Sequence, residues 1–96
     1  MTLDSPPAEL LAARKQIDAI DRQLVELLGK RFEQTHQVGL LKANQELAPV
    51  DATREAEKLA EISELCTKYN LNPGLVTELF SKIMAEVVKN HRQLRD

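Results

Sequence analysis

The sequence predicts an all-α protein, three helices per chain with a long first helix, assembled as a helical homodimer. Three observations point there. Apolar residues recur at heptad spacing through the first forty or so positions: Leu10, Ile17, Leu24 and Val38 on one seam position, and Ala13, Ile20, Leu27 and Leu41 on the other. Two helix-start signals follow, at Asp51 and at Asn72-Pro73. Nothing in the chain alternates with the period of a half-buried strand.

The first helix is expected to begin after Ser5-Pro6-Pro7, with the serine as cap candidate and the prolines placed for the first turn. Its heptads run to about Lys42, and a stripe that long cannot be covered by two short neighbours. A second copy of the same helix is the simplest cover. Gly29 and Gly39 interrupt it, each weakening the helix by roughly 1 kcal/mol relative to Ala or permitting close packing. Neither is expected to end it. The segment 43–50 forms the loop, because Pro49 disfavours helix just before it.

Asp51 caps the second helix, which runs to about Lys68 with Leu59, Ile62, Leu65 and Cys66 on its apolar side. Tyr69-Asn70-Leu71 turns the chain. Proline in the first helical position after Asn72 then starts the third helix, which carries Val76, Leu79, Phe80, Ile83, Met84, Val87 and Val88 and frays near Arg95.

Length and composition bound the function. Ninety-six residues make one domain, divided here into an N-terminal tail at 1–7 and a helical domain at 8–96. A core that small favours oligomerisation. The formal net charge of −2 gives no global attraction to nucleic acid or to an anionic membrane. A single cysteine, Cys66, excludes an internal disulfide and suits a reducing compartment. The N-terminus lacks the basic and apolar regions of a signal peptide, and no apolar run approaches membrane-spanning length. The expectation is a soluble, cytoplasmic chain.

Local cations carry the chemistry. Arg31 falls inside the apolar stripe, where a charge is costly unless an anion meets it, and Gln34 makes the other seam polar at the same level. A helix bundle with a cationic hollow there would bind a small dianion. Lys42 lies on the same face about 16 Å along the axis, so the two long side chains could grip opposite ends of one dicarboxylate. Arg14 is roughly 26 Å before Arg31 and reaches the same ligand only from an antiparallel partner helix. Arg54 and Glu55 open the second helix, a guanidinium for a carboxylate and a carboxylate for a hydroxyl, or else an ordinary exposed pair. His91 follows Phe80, Met84 and Val87 at helical spacing and is either a packing residue or a donor to a ligand oxygen. His36 has no such neighbours and reads as surface. Two histidines without a spaced carboxylate motif do not suggest a metal site, and no phosphate loop or nucleophile elbow occurs.

These residues lie in the stretches ARKQIDAIDRQLVELLGKR, VGLLKA, VDATREAEKL and LVTELFSKIM. Across about residues 10–95 the chain resembles the all-helical chorismate mutases, small intertwined homodimers that convert chorismate to prephenate. The spacing of Arg14, Arg31, Lys42, Asp51, Arg54 and Glu55 fits that family without insertion or deletion. The resemblance implies that Arg14 crosses from the partner to a substrate carboxylate, while Arg31 and Arg54 bind carboxylates within the chain. Lys42 would hold a carboxylate and donate to the ether oxygen, and Glu55 would accept the ring hydroxyl with Asp51 closing that end. No cofactor is implied, since a pericyclic rearrangement needs a compact substrate conformation and donors at the developing enolate-like oxygen.

Two positions depart from the family pattern. Bacterial members usually carry serine where Val87 stands and glutamine or glutamate where His91 stands. Val87 removes a carboxylate contact. At the other position a neutral imidazole still donates from one nitrogen to the ether oxygen, and an imidazolium donates more strongly. Alternatives stay open: a mutase of 4-amino-4-deoxychorismate, since Glu55 could face an ammonium, or an isochorismate–pyruvate lyase, which the Arg54-Glu55 pair and full-length loop disfavour. A reading of another class is a non-catalytic helical dimer serving as a partner or regulatory module that associates with a shikimate-pathway enzyme; the cation set argues against a pure scaffold.

Overall fold

A computed structural model describes residues 6–95. It contains α1 (Ala8–Asn44), α2 (Ala52–Lys68) and α3 (Pro73–Gln93), and no strand occurs among the described residues. The described residues divide between 33 and 34 into two compact units. The cap expected at Ser5 and the start of the tail lie outside the described residues. The two prolines do not enter the first turn: α1 begins at Ala8, and the Pro7 carbonyl accepts from the Leu10 and Leu11 amides at 3.0 and 3.1 Å. Pro7 therefore stands at the cap itself, where a missing amide costs nothing.

Within residues 1–33, α1 continues through Gly29, beside which a Cβ would meet nothing within 4 Å. Ile17, Ile20, Leu24 and Leu27 are each more than half exposed in the single chain.

Within residues 34–96, α2 and α3 pack as an antiparallel pair joined by a short turn. Their buried hydrophobic residues are Ile62 and Cys66 from α2, and Ile83 and Met84 from α3. Ile62 and Cys66 stand one turn apart on one face of α2, and Ile83 and Met84 lie two turns before the buried His91 on α3. Both helices start at the caps the sequence announces. The Asp51 carboxylate accepts the Arg54 amide at 3.0 Å, and the Asn72 side chain accepts the Gly74 amide at 2.9 Å.

Both α1 and α2 end in the same hydrogen-bonded reversal. At the end of α1 the Leu47 amide donates to the Lys42 carbonyl at 2.8 Å and the Glu46 amide to Ala43 at 3.3 Å, with Glu46 in the left-handed region at φ 57°. At the end of α2 Leu71 donates to Cys66 and Asn70 to Thr67, with Asn70 also at φ 57°. This is the Schellman arrangement, which satisfies carbonyls that the last helical turn leaves open. Asparagine tolerates that backbone well; glutamate does so at a cost. No described helix is long and apolar enough to cross a membrane.

Candidate active site

The candidate residues are distributed along all three helices. In residues 1–33, Arg14 is exposed and Arg31 is half-buried, with its Nη1 shielded from solvent. The stripe charge is thus partly withdrawn from water, as its position among apolar neighbours anticipates.

Residues 34–96 hold the rest. Lys42 is half-buried in the last turn of α1, and its ammonium lies 3.5 Å from the Pro49 carbonyl, the long end of hydrogen bonding. Asp51, Arg54 and Glu55 gather at the start of α2, where Glu55 is half-buried and Arg54 exposed. A carboxylate in a first helical turn is favoured by the helix dipole, so Glu55 is stable there without a cationic partner. Asp51 already uses one carboxylate oxygen on the cap, which leaves the other for a second partner. The ion pairs Lys30–Glu26, Lys58–Glu61 and Lys82–Glu78 are neighbours along their own helices and neutralise none of Arg14, Lys42 and Arg54. Among the described residues, these cations have no carboxylate partner and keep their charge available for an anion.

Val87 is half-buried on α3, and His91 is buried at 4% exposure. The expected inward direction of His91 holds, but its ring is engaged with the protein. Nε2 lies 2.8 Å from the Thr35 carbonyl of α1, and a carbonyl can only accept, so Nε2 carries the proton. Nδ1 is buried with no hydrogen-bond partner among the described residues. His36, read as surface, is exposed.

Gly39 explains how the ring reaches a helix carbonyl. It is the one residue of α1 that is buried, and a Cβ there would sit 2.5 Å from His91 Cδ2 and 2.8 Å from Leu94 Cδ1. A helical side chain leans toward the N-terminus and covers the turn before it, here the carbonyl of residue 35. Removing the side chain at 39 uncovers that carbonyl. One residue beyond Leu94 the grip continues: the Arg95 guanidinium donates to the Leu47 carbonyl. Sequence reasoning noted Gly39 as permitting close packing but did not pair it with His91, and it missed Arg95. A mid-helix glycine with no capping role was the available signal. Among the described residues no group of three His, Cys, Asp or Glu side chains could hold a metal ion.

Comparison with known proteins gives the arrangement a relative. A family model described as chorismate mutase type II matches residues 13–92. The T-protein of Enterobacter agglomerans is 35% identical over 79 residues, covering 82% of this chain and 21% of that protein. The bifunctional chorismate mutase/prephenate dehydratase of Escherichia coli K12 is 32% identical over 94 residues, 98% of this chain and 24% of its own length. The protein of the same name from Buchnera aphidicola (Acyrthosiphon pisum) is 33% identical over 85 residues, covering 88% and 22%. The chain thus spans about a fifth to a quarter of the length of these curated relatives. The family model takes in α2 whole and nearly all of α1 and α3, together with every candidate residue from Arg14 to His91. On that match, this three-helix chain belongs to the chorismate mutase type II family.

Proposed function

We propose that the chain is a chorismate mutase that rearranges chorismate to prephenate as a homodimer with two equivalent sites. The observation that carries this reading is Lys42: a half-buried ammonium in the last turn of α1 that, among the described residues, faces a weak carbonyl contact and no carboxylate. In this reading Lys42 holds a substrate carboxylate and donates to the ether oxygen. Arg31 and Arg54 bind carboxylates, Arg14 of the partner subunit supplies a further cation, and Glu55 accepts the ring hydroxyl with Asp51 beside it. Val87 offers only an apolar wall. The chemistry needs no nucleophile. Holding the compact conformer uses binding to reduce the entropic cost of activation, and cations around the breaking carbon–oxygen bond stabilise its developing charge.

Two facts support the dimer. Among the described residues of the single chain few hydrophobic residues are buried, which is marginal at this length. The half-exposed Ile17, Ile20, Leu24 and Leu27 would each contribute on the order of 1 kcal/mol when covered, and a second copy of α1 offers a matching stripe. The proposed setting is the cytoplasm, where the unpaired thiol of Cys66 stays reduced. Association with another shikimate-pathway enzyme is compatible with relatives whose names join chorismate mutase to prephenate dehydratase.

The test presents purified protein with chorismate, 4-amino-4-deoxychorismate and isochorismate in parallel. Prephenate formed from chorismate with the highest kcat/KM of the three supports the proposal. Preference for the amino analogue, release of pyruvate from isochorismate, or inertness toward all three would replace it with the corresponding alternative.

A further inference from the structure

Resting on that reading, we infer that His91 is a positioning residue that sets the place of Lys42, and that it is not a hydrogen-bond donor to substrate. The donor nitrogen of the ring is already committed. Nε2 gives its proton to the Thr35 carbonyl at 2.8 Å, and the ring fills the space where a side chain at Gly39 would stand. The remaining nitrogen, Nδ1, bears no proton in this tautomer and can only accept. An ether oxygen also only accepts, so the two cannot pair.

The bond has a consequence for α1. Thr35, Gly39 and Lys42 follow one another at i+4 and i+3, which puts all three on one helix face. His91 and Leu94 hold that face at Thr35 and Gly39, before Lys42. Beyond Lys42, Arg95 donates to the Leu47 carbonyl, and the Leu47 amide in turn donates to the Lys42 carbonyl at 2.8 Å. The end of α3 therefore grips α1 and its exit loop on both sides of the lysine. Gly39 permits the approach, and the imidazole is long and flat enough to use it. A displacement of about 1 Å at a catalytic group costs on the order of a hundredfold in rate, so a clamp this close to Lys42 acts on turnover.

The direct test is nitrogen NMR of histidine-labelled protein near pH 7.5, free and with an oxabicyclic dicarboxylate inhibitor that mimics the chair-like transition state. The expected result is an Nε2-protonated His91 in both states. An Nδ1-protonated ring, or a ring that gives up Thr35 to bond the inhibitor, overturns the inference. Because the free protein alone reads the tautomer, this arm holds even if chorismate is not the substrate; failure of the function would show separately as no turnover. The kinetic arm compares His91→Gln, whose amide can still reach Thr35, with His91→Leu, which cannot donate. The expectation is a kcat within about threefold for Gln, and about tenfold or more lower for Leu with KM little changed, in protein shown by circular dichroism to be fully helical. In the Lys42→Ala background His91→Leu should add less than about a twofold loss, since it acts through the lysine. An undiminished further loss there would make His91 an independent donor and contradict the proposal.

Discussion

The ring of His91 occupies the place of a side chain on Gly39: a Cβ at that position would lie 2.5 Å from Cδ2 and 3.0 Å from Nε2. Gly39→Ala therefore sets two effects against each other. Alanine favours the helix by roughly 1 kcal/mol, but overpacking against a buried ring costs about 1–3 kcal/mol. The buried clash should win. Urea unfolding is expected to show a net loss of about 1–2 kcal/mol. In a His91→Ala background, where the ring is gone and the nearest remaining atom is the flexible end of Leu94, the same substitution should be neutral or stabilising. An equal loss in both backgrounds would mean that the ring does not occupy that space.

The exit from α1 carries a removable strain. Glu46 holds φ 57° in the reversal that returns the Leu47 amide to the Lys42 carbonyl. Glu46→Gly should raise stability by about 0.5–1 kcal/mol, since glycine adopts this backbone freely. Asn70→Gly, at the equivalent position after α2, should gain less, because asparagine already tolerates the region. Thermal unfolding of the two variants side by side checks the order; a larger gain at Asn70 would contradict it.

Caps and site residues separate by their kinetics. Asn72→Ala removes the acceptor for the Gly74 amide and should cost about 1 kcal/mol while leaving kcat/KM unchanged, since no candidate site residue lies in that turn. Asp51→Ala removes a comparable cap from α2 and should also raise KM for chorismate, because its second oxygen closes the hydroxyl end of the proposed site. Steady-state kinetics at a temperature where both variants are folded distinguishes the two. An unchanged KM in Asp51→Ala would reduce that residue to a cap alone.

The proposed sharing of sites between chains makes a complementation experiment available. In that arrangement, homodimers of Arg14→Ala and of Arg54→Ala would each carry a lesion in both of their sites. In a mixed dimer one site collects both lesions and the other neither, so activity should return toward half of wild type per hybrid. Subunit exchange followed by mass spectrometry establishes that hybrids form. Exchange without recovery would argue that each chain builds its site from its own residues.

Much of the architecture was legible because it rests on local signals. Asp51 and Asn72-Pro73 announced α2 and α3 through capping chemistry, and the spacing of Ile62 with Cys66, and of Ile83 and Met84 with His91, marked faces that the structure buries. The start of α1 was read less well, since a Pro-Pro pair fits either a cap or a first turn by local rules alone. The direction of His91 was legible from helical spacing; its partner was not. A contact between residues 35 and 91 depends on how α3 meets α1, and one glycine decides it by leaving a carbonyl uncovered. The reach of Arg95 to Leu47 also depends on tertiary packing, and the left-handed backbone at Glu46 is a local reversal that glutamate, unlike glycine or asparagine, does not announce.

The most direct measurement follows prephenate formation from chorismate by the wild-type chain and by Lys42→Ala, with helicity recorded on the same samples. The account predicts saturable turnover by the wild type and a loss of at least about a hundredfold in kcat for the variant at unchanged helicity, the scale expected when one donor to a developing oxyanion is removed. Wild-type-like turnover in Lys42→Ala would contradict it.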